Sequence, residues 1–266
     1  MDFFTNQYIR LLKTLKTQGF LFHTVSQYLK TNISSSTFII LRHDVEARYE
    51  NALRFATLQG SFEITGTYYF RISPGHFNSE IIKKISDLGH DIGYHYDDLS
   101  FCKGNYDTAM QRFEKNLEII RQIAPVNTIT MEGDPLSKYD NRDLWKIYDY
   151  HDFGLTIEPY FDINFDEVFY LTDTGRCWDG WKFSVRDKMP QQEEWIRKGL
   201  VFHSTNDIIK AAEAGKLPDK IMMTFHPQRW TDRPLPWLKE LVWQNVKNVG
   251  KFLIVKSKEY GVGSRE

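Results

Sequence analysis

The chain has little cysteine: Cys102 and Cys177 stand alone in 266 residues, far apart and in no CxxC pair. That excludes a disulfide framework and a cysteine-only zinc site. No run approaches the roughly 18 consecutive apolar residues that cross a bilayer, so no integral membrane segment is expected. The start, "MDFFTNQYIRLLKTLKTQ", lacks a basic region followed by an uninterrupted apolar stretch, the pattern of an export signal. A cytoplasmic protein is expected. Excess charge is missing too. Lys+Arg 34 balance Asp+Glu 35, for a net charge of -1 and no charge run. Nothing therefore argues for nucleic acid or an anionic membrane as partner. Internal repeats, low-complexity tracts and a Pro/Gly-rich linker are also absent, so residues 1–266 read as a single domain.

Aromatic residues, by contrast, are abundant at 15%, with seven Trp. In a neutral chain they suit sugar contacts as well as a packed core. The hydrophobic pattern alternates between two periods. Helical spacing over 3–17 and a short helix from Thr24 to Lys30 make up an N-terminal segment, 1–36. "TFIIL", "GTYYFRI", "DIGYH", "VNTITM", "EVFYLTD" and "KIMMTFH" read as strands. Between them, helices are predicted from "ARYENALRFATLQ", "NSEIIKKISDLG", "NYDTAMQRFEKNLEIIRQI", "YDNRDLWKIYDYH" and "STNDIIKAAEAG", with a last long helix over 235–258. Residues 150–200 are the least regular and read as an insertion or active-site loop. Strand then helix, repeated with short connections, predicts an α/β fold on a parallel sheet, either open and doubly wound or closed as a barrel.

In either form, chemistry gathers where strands end at their C-termini. The strand ends here supply His43, Asp44 and Glu46; His95, Asp97 and Asp98; Glu132, Gly133 and Asp134; Asp173; and His226. Asp44 and Glu46 are two apart, so on an extended backbone they face the same side. One of these carboxylates and the His95 nitrogen suit a divalent metal such as zinc. The metal lowers the pKa of its water toward ~7, and the second carboxylate can take the proton. His226, opposite, can protonate a leaving amine. Plainer readings compete. Asp44 after an apolar strand can be a helix N-cap, Glu46 a solvated first-turn acid, and His90 a core histidine. Asp140 and Asn141 suit capping better than catalysis.

"LRHDVE", "LGHDIGYH" and "MMTFHPQRW", in that order, resemble the polysaccharide deacetylase (NodB-like, carbohydrate esterase) superfamily over roughly residues 37–230. The likeness is closest to the branch whose first motif reads His-Asp-Val-Asp, linked to surface-polysaccharide biosynthesis. "GDPLSKYDN", 133–141, also resembles a segment of that branch. The resemblance implies a distorted (β/α) barrel of about seven parallel strands. It implies metal-dependent removal of an N-acetyl or similar acyl group from an amino sugar, in lipopolysaccharide, O-antigen or a related glycan, so the expected partner is a carbohydrate. Asp44 falls on the catalytic base, Glu46 and His95 on metal ligands, and His226 on the general acid. Leu99 stands where the family has its second metal histidine. Asp98 is expected to substitute as third ligand, with Glu132 an alternative. The family's middle-motif arginine, which tunes the base, has no clear counterpart near Met131-Glu132-Gly133. Gly133, Asp134, Asp173, Trp178 and Arg186 are expected at the substrate. Two rivals accompany this reading: a catalytically degenerate glycan-binding protein, and a metal-independent amide hydrolase using Asp44, Glu46 and His226. The sequence leaves the oligomeric state open.

Overall fold

The computed structural model describes residues 2–30, 37–73, 75, 77–134, 136–182 and 189–262, with the backbone alone for Lys30 and 251–262. Its centre is a seven-stranded sheet of β1 (Leu21–His23), β2 (Phe38–Val45), β3 (Thr67–Phe70), β4 (Asp91–Tyr96), β5 (Val126–Met131), β6 (Phe169–Thr172) and β7 (Lys220–Phe225). Every pairing is parallel, in the order β5-β4-β3-β2-β7-β6. β1 pairs with β2 at Phe38–Ile40, while β3 pairs with β2 at Arg42–Val45. β7 takes the other edge of β2 from Phe38 to His43. β2 is therefore flanked along its length, and all eight of its residues are buried. That explains an apolar run with no alternation, as expected of a parallel strand covered on both faces. Each fully buried Ile or Leu in it contributes about 1.5–3 kcal/mol.

The helices are α1 (Thr5–Thr17), α2 (Val25–Lys30), α3 (Tyr49–Gly60), α4 (Ser79–Asp87), α5 (Asp98–Phe101), α6 (Tyr106–Arg121), α7 (Pro159–Asp162), α8 (Gln192–Arg197), α9 (Thr205–Glu213) and α10 (Pro234–Val262). Several begin where the sequence says they should. Asn78 and Asn105 accept from the backbone amides of Ile81 and Thr108, and Ser204 with Asp207 forms a capping box. The α10 helix docks through half-buried Trp237 and Asn248 and buried Gln244, and leaves Leu235, Leu238, Val242, Val246 and Val249 exposed. No helix among the described residues is long and apolar enough to cross a membrane.

Three elements differ from the sequence reading. The strand β1 was not expected, being only three residues long. "YDNRDLWKIYDYH" forms two separate 3-10 turns, Asn141–Lys146 and Tyr150–Phe153. Asp140 caps the first and Asp149 caps the second, so the chain restarts instead of continuing one helix. The irregular 150–200 segment supplies α7 and α8 to the body of the fold, besides the strand β6 expected from "EVFYLTD".

The sheet is curled. Glu46 follows β2 and Glu132 follows β5, three strands away in the order, roughly 14 Å along a flat sheet. Yet their ligand atoms approach within 4.8 Å. Between the terminal strands β5 and β6, an isolated parallel bridge from Thr128 to Ile157 carries the wall onward. This is the distorted barrel of seven parallel strands that the alternation and the resemblance pointed to, with the strand C-termini on one rim.

Candidate active site

The last residues of β2 set up the site. Arg42 and Asp44 share one face of the strand because side chains alternate with a period of two. Nε and Nη2 of Arg42 each donate to one oxygen of Asp44, at 2.8 and 2.8 Å. Both residues are buried. Burial disfavours charge on Asp44, but Arg42, and then His95, outweigh it and hold the carboxyl down at about 2. A fork-on-fork pair uses one lone pair of each oxygen and leaves the other pair available. The guanidinium lies between the rings of Tyr69 and Tyr160, at 5.4 and 5.3 Å from their centres. Tyr69 has room only because position 93 on the neighbouring strand is glycine: a Cβ there would fall on its ring. Asp44 caps no helix. The N-cap of α3 is Arg48, with no side-chain cap bond.

His95, the second-last residue of β4, places its Nδ1 3.0 Å from the Thr130 carbonyl. That bond requires a proton on Nδ1, so in the neutral ring Nε2 carries the lone pair. Nε2 lies 3.0 Å from Glu132 Oε2 and 4.0 Å from Asp44 Oδ2. Although the Glu132 contact is short, Glu132 Oε2 is buried without a hydrogen bond of acceptable geometry. Two lone pairs aimed at common space, not at each other, are what a shared cation requires. Glu46, His95 and Glu132 form a group whose ligand atoms all lie within 4.8 Å of one another. An oxygen–nitrogen–oxygen set with two carboxylates suits a divalent metal, so these residues fit the cofactor expected.

The electrostatics agree. Burial would lower the pKa of His95, but Glu132 and Asp44 lift it to about 9. Burial and the nearby Glu46 carboxylate push Glu132 up. Burial opposes charge on Glu46 too, but His226, Arg229 and His95 bring it down. The carboxylates thus call for positive charge at the point they share.

Across the cavity stands His226, directly after β7. Its Nδ1 is 2.5 Å from Asp173 Oδ1, and its Nε2 is 3.6 Å from Glu46 Oε1. Asp173 is fully buried and accepts from the His226 amide, from Trp230 Nε1 at 2.6 Å and from Arg229. Burial alone would raise Asp173, but His226 and Arg229 pull it below the usual carboxylate range. An ionised Asp173 fixes the imidazole so that Nε2 faces the cavity.

The structure thus gathers Asp44, Glu46, His95 and His226 around one cavity, with Met131, Glu132, Gly133 and Arg229 also in its wall. Other expected residues lie elsewhere. Asp98 is no neighbour of His95: it is wholly buried against the Tyr94 hydroxyl, Arg112 and Asn116. Glu132 occupies the place expected of it, because the side chain after β5 turns into the barrel. Leu99 is a core residue of α5. Asp173 cannot touch a substrate, being sealed behind His226. Asp134 turns back on the Leu136 amide. Trp178 is a core side chain that donates to Thr205 and meets Phe225 edge-on. Arg186 lies outside the described residues.

Two contributors were missed. Arg42 stood in the quoted motif "LRHDVE", and its i, i+2 spacing from Asp44 was the available signal. Asn141 looked like a cap. It instead bonds the Ser100 amide and the carbonyl of Glu132, tying α5 to the loop that carries Glu132.

Neither a scan against protein-family models nor a search of curated proteins finds a match for this chain. Among solved structures, a pseudoenzyme of carbohydrate esterase family 4 from Bacillus anthracis matches with a TM-score of 0.44 and 14% identity over 82% of this chain and 62% of that one. The chain thus spans less than two thirds of that neighbour. A family 4 carbohydrate esterase from Bacillus subtilis matches with a TM-score of 0.41 and 13% identity, over 90% of this chain and 84% of that one. A polysaccharide deacetylase from Bacillus cereus matches with a TM-score of 0.40 and 14% identity, over 85% of this chain and 89% of that one. These likenesses are distant, and any assignment of chemistry rests on the side chains described above.

Proposed function

We propose that this chain is a metal-dependent hydrolase of the NodB-like superfamily that removes an N-acetyl group from an amino sugar. The observation that carries the reading is the placing of Asp44, buried and held ionised by Arg42, beside the Glu46–His95–Glu132 group and across the cavity from His226. A divalent cation, zinc by its donor set, would be held by Glu46, His95 and Glu132 and would supply Lewis-acid charge beside the acyl carbonyl. Asp44 accepts a proton from the attacking water through its unused lone pair. The water oxygen bonds the acyl carbon, and the carbon–nitrogen bond breaks. His226 Nε2 gives a proton to the departing amine, while Asp173 steadies the imidazolium. The products are acetate and a free amino sugar.

The order of the motifs and "GDPLSKYDN" support a role in lipopolysaccharide or O-antigen biosynthesis. Free cysteines at Cys102 and Cys177 fit a reducing cytoplasm. The degenerate-binder reading drew on Leu99, and Glu132 beside His95 removes most of that ground. The test is acetate release from N-acetylated sugars by protein of known metal content. Activity that follows zinc loading and is lost in Asp44→Asn supports the reading. No release from any acetylated sugar after metal loading would overturn it.

A further inference from the structure

The helix α10 has two faces. Trp237, Gln244 and Asn248 turn inward, and Gln244 reaches the wall of the candidate cavity. Opposite them, Leu235, Leu238, Val242, Val246 and Val249 recur at spacings of three and four, which places them on one outward stripe. They are 52–80% exposed, and Trp243, 59% exposed, stands at the edge of the stripe. So much contiguous apolar surface left in water marks a docking face. The rim on which the cavity opens adds to it. Phe101, Leu136 and Phe161 are 50–83% exposed, on the segments that follow β4, β5 and the Thr128–Ile157 bridge.

Charge decides what this face meets. Arg233, just before the helix, and Lys239, one turn into it, are exposed and have no ion-pair partner among the described residues. The acids beside them are occupied: Asp232 by Arg54 and the Thr5 amide, and Glu240 by Arg48. In sequence, Pro234–Val262 carries five lysines against two glutamates. The excess is local, so the net charge of -1 conceals it. A second copy of the stripe would bring these cations together with no free acid between them. Anionic phospholipid headgroups supply the missing negative charge. An apolar stripe with tryptophan at its edge and lysines beside it suits a helix that lies in the membrane interface. It does not suit a spanning one, since no helix among the described residues is long and apolar enough to cross.

We propose that α10 docks this protein on an anionic phospholipid surface, with the helix in the headgroup plane and the cavity mouth held at the bilayer. The substrate is then a glycan presented there on a lipid anchor. That last step rests on the deacetylase reading; the docking does not.

Co-sedimentation of the full-length protein with vesicles tests this. Mixed phosphatidylcholine and phosphatidylglycerol should bind about tenfold more tightly than phosphatidylcholine alone at low salt, with the gap narrowing as ionic strength rises. Arg233→Gln/Lys239→Gln should weaken binding about fivefold for each charge removed. Leu238→Ser/Val242→Ser/Val246→Ser should weaken it by at least about tenfold. These side chains are exposed and outside the cavity wall, so the urea midpoint and acetate release from soluble acetylated sugars should stay close to the parent's in both variants. Equal binding to both vesicle types, no binding to either, or binding that survives the serine variant overturns the proposal. So does a lipid-free dimer that the serine variant dissolves, because the stripe then covers a second copy. Vesicle binding without acetate release from any sugar keeps the docking and defeats the deacetylase reading instead.

Discussion

Two buried carboxylates near the same rim each meet an arginine, and they behave in opposite ways. Asp44 has Arg42 to itself, in two parallel bonds of 2.8 Å, and stays ionised down to about 2. Asp98 shares Arg112 with Asp97 and also takes the Tyr94 hydroxyl. Its burial exceeds the help from Arg112, and the Asp97 charge adds to the penalty, so its pKa rises to about 6. Asp97 has a second partner in Arg71 at 2.7 Å, but the fully buried Asp98 has only a share of Arg112, too little to offset its burial. Proximity to arginine alone does not mark a base. Undivided pairing does, together with an open lone pair facing a cavity. Asp44 lines the candidate cavity and Asp98 does not.

Catalysis should separate the two most sharply. Asp44→Asn is predicted to lower kcat/KM for acetate release by about 10²–10⁴-fold, the usual worth of a general base. Asp98→Asn should stay within about tenfold of the parent. An Asp98 variant as dead as the Asp44 variant would break the contrast.

Stability comes next. Arg42→Met strands Asp44 without its counter-charge, at an expected cost of about 3–5 kcal/mol by urea denaturation. Arg112 has a side chain 17% exposed, against 1% for Arg42, so Arg112→Met should cost less, about 1–3 kcal/mol. Arg42→Met should also raise the pKa of Asp44. The acid limb of its pH–rate profile then moves up, whereas Arg112→Met leaves the limb in place.

Metal content tests the same division. Glu132→Ala should weaken zinc affinity about 100-fold or more, and Asp98→Ala should leave stoichiometry unchanged by elemental analysis. A loss of metal in Asp98→Ala alone would reinstate it as a ligand.

The smallest effect is in the pH dependence of stability. The folded pKa of Asp98 is raised, so its contribution is full below the ordinary carboxyl value of 3.8 and is lost as pH rises through about 6. Asp44 has the opposite sign. Its contribution is full above 3.8 and is lost only as pH falls through about 2. Between pH 7.5 and 4.5, the stability of wild type relative to Asp98→Asn should therefore improve by about 1–2 kcal/mol. The gap to Asp44→Asn should hold steady. Denaturant titrations at the two pH values decide this.

Much of this was legible beforehand. "TFIIL" announced a buried strand by its unbroken apolar run, although β2 runs on through Arg42 to Val45, and "VNTITM" is the strand β5 residue for residue. Asn78, Asn105 and Ser204 marked helix starts. Asp44, Glu46, His95 and His226 could be named because strand C-termini in a parallel sheet share a rim. Less legible was the choice between Asp98 and Glu132. Asp98 is three residues from His95 in sequence, but the α5 turn points it into the core. Glu132 is far away in sequence, and the pairing of β5 with β4 brings it to 3.0 Å from His95, while the curl of the sheet brings both to Glu46. Trp178 was ambiguous for a similar reason: an indole in a loop serves a sugar or a core equally well until its neighbours are known.

The sequence by itself determined the alternation of strands and helices, the parallel sheet and the set of side chains at its rim. Those follow from local forces: periodicity, capping and backbone pairing. Which of those side chains converge was decided by the tertiary structure alone. Barrel curvature, the packing of Tyr69 against Gly93 and the sharing of each buried cation set distances of a few ångströms between strands remote in sequence. Charge pairing at that range fixes which carboxylate is ionised, and so which one can act.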